Sequence, residues 1–195
     1  PEAIKAYTNT LDKEEASVDC ELSAMLFNYY SLLAGAIENP EYAMTPAALV
    51  KPSRVIRVAR LDAPSRKQVL KMIDDSVAVE SYGLRGRAYV DLGGPFAEGN
   101  EWIARAGSLL EGAHYEVDYE KTKRSFNYTD RLDAPAIYVG WYKHRANHQW
   151  LDRSVRVPRG AIAYHLHSFS ANTLRSERKN WLGPLLAKGY ALTFG

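Results

Sequence analysis

Two imidazoles set two residues apart, His165 and His167, close an apolar run and lead into hydroxyls at Ser168 and Ser170. On an extended strand, positions i and i+2 share a face, so both rings project to the same side. Such a pair ligates a transition metal when a carboxylate completes the set, and Asp62 or Asp91 could supply one. No third histidine follows at a fixed spacing, so no metal is assigned and no cofactor is named. A second chemistry is a serine nucleophile with a histidine base. Neighbouring strand residues face opposite ways, so His167 is poorly placed to activate Ser168, and the base falls to His144, His165 or another strand. No Gly-x-Ser-x-Gly elbow is present.

Cys20 is the only cysteine, so no intrachain disulfide forms. Its place in the first turn of a helix would lower the thiol pKa, but Asp19 and Glu21 on either side raise it again. A structural thiol is the expectation. Gly93-Gly94-Pro95 follows a strand-like run but lacks both the G-x-G-x-x-G spacing and a P-loop lysine.

The elements that must position these residues follow from periodicity. Ser17 caps a helix carrying Leu22, Met25, Leu26, Tyr29, Leu32 and Leu33, which stops near Gly35. A loop with Pro40, Pro46 and Pro52 follows. Val55 to Arg60 then reads as a strand, and Ser65 caps a helix whose Val69, Leu70, Ile73 and Val77 form one apolar stripe, ended by Gly83 and Gly86. Ala88–Leu92 is a strand, Trp102 to Gly112 a helix, Tyr115–Tyr119 a strand, and 120–133 a charged loop. Strands at 136–141 and 161–167, a helix at 181–187 and a strand at 191–194 complete the pattern.

Strands alternating with helices predict an α/β three-layer sandwich with a mostly parallel sheet covered by helices on both faces. Parallel sheets bind ligands outside the carboxyl ends of their strands. The residues ending the predicted strands therefore define the expected site. His167, Ser168, Asp62 and Asp91 are the catalytic candidates, and Asp19, Glu21, Arg60, Trp141, Tyr142 and His165 the binding ones.

Charge and composition narrow the partners. With 25 basic against 23 acidic residues the net charge is +2, not the excess of a nucleic-acid binder. The clusters at 54–60 and 175–179 are diluted by apolar or acidic neighbours, so they read as solvated faces. No apolar run reaches the roughly 18 residues of a membrane span. The 13 tyrosines and 4 tryptophans suit a peptide or glycan ligand. The chain starts at Pro1 and ends directly after a strand-like run, so one α/β domain over 1–195, cut from a longer precursor, is expected.

Several motifs carry a resemblance across nearly the whole chain: Ser17-Val18-Asp19-Cys20-Glu21-Leu22, Arg60-Leu61-Asp62-Ala63-Pro64, Gly86-Arg87-Ala88-Tyr89-Val90-Asp91, Gly140-Trp141-Tyr142, Gly160 to Ser168, and Trp181 to Gly189. Together they resemble a family of exported proteins of environmental bacteria that has no assigned activity. The resemblance implies a signal peptide upstream, more chain beyond Gly195 and an extracytoplasmic location. Members carry serine where this chain has Cys20, which weakens a thiol nucleophile. A more distant similarity is to caspase- and gingipain-like peptidases, α/β sandwiches with a His-Gly after one strand and a Cys after the next. Here Gly140-Trp141-Tyr142 lacks the His-Gly and His167-Ser168 lacks the cysteine, so that dyad does not carry over. Two functions are therefore expected to compete: a hydrolase-like domain acting on peptide or glycan, and a noncatalytic ligand-binding or surface-structural module of the same fold.

Overall fold

The computed structural model describes residues 58–194 together with 22, 23, 25, 26, 55 and 56. The chain divides into two compact units, residues 1–60 and 61–195. In the first, Leu22 and Ser23 are helical, and the Ile56 amide donates to the Ser23 carbonyl at 2.9 Å. Most of the helix expected from Ser17, including Asp19, Cys20 and Glu21, lies outside the described residues. The strand expected over Val55 to Arg60 is not formed: its described residues belong to no regular element and none joins the sheet. Alternating β-branched residues make a strand only where a neighbouring strand accepts them. Arg60 and Asp62 therefore do not sit at the end of a sheet strand.

The second unit opens with α1 (Arg66–Glu80). Ser65 caps it: its hydroxyl accepts the Gln68 amide at 3.3 Å, while Ser65 Oγ and Gln68 Oε1 lie 2.9 Å apart. The helix ends at Glu80, three residues before the Gly83 predicted to close it, with Ser81 as its C-cap. Its stripe faces outward, for Leu70, Ile73 and Val77 are exposed and the buried residue is Asp75, paired with Arg159 at 3.0 Å.

β1 (Arg87–Asp91), α2 (Ala97–Gly112), β2 (Val117–Glu120), β3 (Pro135–Trp141), β4 (Ile162–Leu166), α3 (Leu182–Lys188) and β5 (Leu192–Phe194) follow, with a 3-10 turn at His148–Trp150. All five strands are parallel, in the order β2-β1-β3-β4-β5. β3 is buried throughout, which explains its unbroken apolar run.

Period two divides the core. Ala88, Val90, Ile137, Val139 and Trp141 face one side and pack with Ile103, Ala106 and Leu110 of α2. Tyr89, Tyr138 and Ala163 face the other and pack with Phe126, Trp150, Trp181, Leu182, Leu185 and Tyr190. The register places Glu120, Asp91, Gly140 and His165 in one row at the carboxyl edge of this second face. A row of polar groups flanking one glycine is thus built into the sheet.

Candidate functional site at the carboxyl edge

From β1 the chain crosses to β2 on one side, then returns to β3 on the other. Loops leaving β1 and β3 therefore diverge and open a crevice between the two strand ends. Asp91 ends β1 there, only 3% exposed. The Ser125 hydroxyl donates to its carboxylate, and the Tyr138 hydroxyl stands 3.5 Å away. Gly140 makes room for this approach: a Cβ there would fall on the Tyr138 hydroxyl and 3.0 Å from Asp91 Cβ. Burial pushes the Asp91 carboxyl up to about 6, against the Ser125 hydrogen bond, with the Glu120 charge adding to the rise. Ser125 is itself fully buried, with φ +65°, in the left-handed region.

Glu120, one strand over, behaves differently. Burial opposes its charge, but hydrogen bonds from Thr122 and Arg124 win and hold its pKa below the usual value. Of the two carboxylates at this edge, one is thus ion-paired and charged, and the other is buried with hydroxyl partners and no ion pair among the described residues.

His165 is fully buried and stacks on Trp181, ring centroids 3.8 Å apart. Its Nδ1 lies 2.7 Å from Ser170 Oγ, and its Nε2 has no hydrogen-bond partner among the described residues. Burial, reinforced by His167, holds its pKa down to about 2, so the ring is neutral. It belongs to a column of rings, with Trp181 stacked on Tyr138 and Tyr138 packed at a 35° tilt against Trp150.

His167 is half-buried. Its Nδ1 accepts the Phe169 amide at 3.1 Å, so in the neutral ring the proton is on Nε2. Its basic lone pair is therefore engaged and unavailable to Ser168, which is exposed and has no hydrogen-bond partner among the described residues. Burial, then the neighbouring His144, lowers the His167 pKa. Asp62 pairs with Arg175 at 2.7 Å, and its own carboxylate accepts the Ala63 amide at 2.8 Å. That ion pair fastens the start of the unit to the loop after β4. Among the described residues, no three His, Cys, Asp or Glu side chains are placed to hold a metal ion.

Trp141 and Tyr142 separate sharply. Trp141 is buried beneath α2, its Nε1 donating to Asn100 at 2.7 Å, in a slot that Cβ atoms at Gly94 and Gly99 would fill. It is a structural wedge. Tyr142, at φ +64°, turns its ring outward and is 39% exposed. Its ring lies 5.0 Å from Phe96 and 5.0 Å from His167, while His167 lies 5.9 Å from His144 and 5.8 Å from Phe169. Phe96 and Phe169 are 54% and 53% exposed. Five rings thus form a continuous outward-facing cluster over the ends of β3 and β4.

The carboxyl edge brings together Asp91, Tyr142, His165 and His167 from the expected set. It adds Ser125, Tyr138, Phe96 and Phe169, and it includes His144, which the sequence offered only as a base for a serine nucleophile. Arg60 lies in the first unit. Ser125 hides in a loop whose charged composition signals only solvent, and Phe96 follows a glycine-proline turn. A large apolar residue directly after such a turn was the one available signal. No family model, no curated protein and no solved structure matches the chain.

Proposed function

We propose that the carboxyl edge of the 61–195 unit captures a glycan or peptide, and that the protein works as an extracytoplasmic ligand-binding domain. The carrying observation is the exposed ring cluster of Phe96, Tyr142, His144, His167 and Phe169. Large rings held against water at a strand-end crevice are a surface awaiting a partner, and they stack on sugar faces or side chains. The buried Trp141 and the cysteine-free His167-Ser168 end of β4 support a noncatalytic role over a peptidase one. The extracytoplasmic location rests on the resemblance to exported proteins alone.

A panel of oligosaccharides and peptides, followed by thermal shift and calorimetry, tests this. Tyr142→Ala and Phe169→Ala are each expected to weaken the bound ligand by about tenfold, near the upper worth of one ring contact. Binding that survives both, or no binding across the panel, refutes capture by this cluster.

A different observation favours a hydrolase at the same edge. Asp91 ionises near neutrality, which suits a general acid or base, and Ser125 and Tyr138 hold its carboxyl in place. Substrate would have to reach it past Ser125. Turnover on ester, peptide and glycoside substrates, abolished by Asp91→Asn, would establish catalysis; no turnover by the unaltered chain would exclude it for those substrates.

A further inference from the structure

Near-neutral overall charge conceals a local segregation at this edge. The carboxylates of its loops are already engaged: Glu120 and Asp130 with Arg124, Asp133 with Arg131, Glu177 with Arg153, and Asp62 with Arg175. Lys121, Lys123, Lys143, Arg145, Arg178 and Lys179 make no ion pair among the described residues. Against them stand Glu98, in the first turn of α2, and Asp152, in the loop between β3 and β4, both without an ion pair among the described residues, Asp152 accepting hydrogen bonds from Ser154.

The loops carrying these cations are bound into one surface. The Lys143 ammonium donates to the Lys123 carbonyl, Trp181 Nε1 donates to the Lys143 carbonyl at 2.7 Å, and the Ala146 amide donates to the Asn180 carbonyl at 2.8 Å. Lys143 lies between Tyr142 and His144 in the chain and Arg145 follows His144, so these two cations flank rings of the cluster. Lys143 is also close enough to Asp91 to favour its charged form.

We propose that the ligand of this edge is an acidic glycan, whose sugar carboxylates pair with Lys143, Arg145 and Lys179 while its ring faces pack on Tyr142 and Phe169. The proposal rests on the capture reading given above and names its substrate class. Guanidinium and ammonium groups recognise carboxylates directly. The His167 Nε2–H and the Tyr142 hydroxyl, set among the rings, offer neutral hydrogen bonds suited to sugar hydroxyls. A nucleic acid is less well served, because its bases stack on open, parallel ring faces. Here neighbouring rings meet at 84°, 60°, 80° and 53°. An acidic peptide would use the cations but leave the corrugated rings without a matching apolar face.

Calorimetry with the full chain decides between these ligands, using galacturonate oligomers, galactose oligomers of equal length, polyglutamate and a single-stranded oligonucleotide. The galacturonate oligomer is expected to bind tightest, and to weaken several-fold between about 0.05 and 0.2 M salt. Lys143→Glu and Arg145→Glu should each weaken it by about tenfold, while Arg145→Lys largely restores it. Far-UV circular dichroism of each variant checks that the fold is retained. Galactose oligomers binding as well as galacturonate, without salt dependence, would overturn the charge inference and leave capture standing. Tighter binding of polyglutamate or the oligonucleotide would overturn the ligand class. No binding by any of the four would overturn the acidic glycan together with capture of these ligands.

Discussion

Replacing Asp91 with asparagine keeps the shape of the buried carboxyl and its oxygen for Ser125, but removes its titration. In the folded chain burial raises this carboxyl to about 6, against the ordinary aspartate value of 3.8. The folded state therefore holds the proton more tightly than the unfolded state. Its stabilising contribution is complete below about pH 3.8 and is lost as pH rises through about 6. A displacement of about 2 pKa units corresponds to about 3 kcal/mol lost in full above pH 7, of which about 2 kcal/mol falls between pH 4.5 and 7.5. Urea unfolding followed by tryptophan fluorescence reads this well, since Trp150 and Trp181 lie in the same packed face. The quantity to plot is the stability of the unaltered chain minus that of Asp91→Asn, in which other titrating groups largely cancel. That difference should fall by about 2 kcal/mol from pH 4.5 to 7.5. A flat difference, or one that rises with pH, would show that burial does not raise the Asp91 carboxyl and would remove the physical basis for acid–base chemistry at this position.

His165 predicts the opposite limb. Its pKa is depressed to about 2 by burial, so its contribution is present above pH 6.5 and lost as pH falls. His165→Phe retains a ring on Trp181 and should flatten the loss of stability between pH 6.5 and 4.5, measured by urea titrations at several pH values; an unchanged slope refutes the assignment. Gly140→Ala places a methyl against the Tyr138 hydroxyl and Asp91, and should destabilise the chain by about 1 to 3 kcal/mol in the same assay at pH 7. No measurable cost would mean that this row of the sheet is looser than drawn.

The sheet was legible because its signal is local. The unbroken apolar run at 135–141 and the shorter runs at 87–91 and 162–166 need only burial on two faces to become strands. Val55 to Arg60 carried a similar signal, yet strand formation depends on a partner that composition does not display. The stripe of α1 failed for a related reason: periodicity marks an apolar face without saying what lies opposite it, and Leu70, Ile73 and Val77 face outward. At the site, Asp91, Tyr142 and His167 were readable as strand endings. Trp141 was read as a binding group, but a one-residue change of face puts it under α2, where Gly94 and Gly99 leave its slot. Ser125, Phe96 and Phe169 come from loops, and tertiary contacts rather than spacing bring them to the crevice.

The strand order also dictates a construction sequence for the site. β2 pairs with β1, β3 takes the other side of β1, β4 adds to β3 and β5 to β4. Every strand thus finds its partner already made, so the sheet of this unit can grow as the chain leaves the ribosome without waiting for a later segment. Asp91 emerges early and spends that interval on an unfinished border, still open to water. The Ser125 hydroxyl that covers it arrives next, and the His165 that completes the row arrives with β4. The desolvation that tunes the carboxyl is therefore acquired in stages, and a nascent chain halted before β4 would carry Asp91 with its chemistry only partly set.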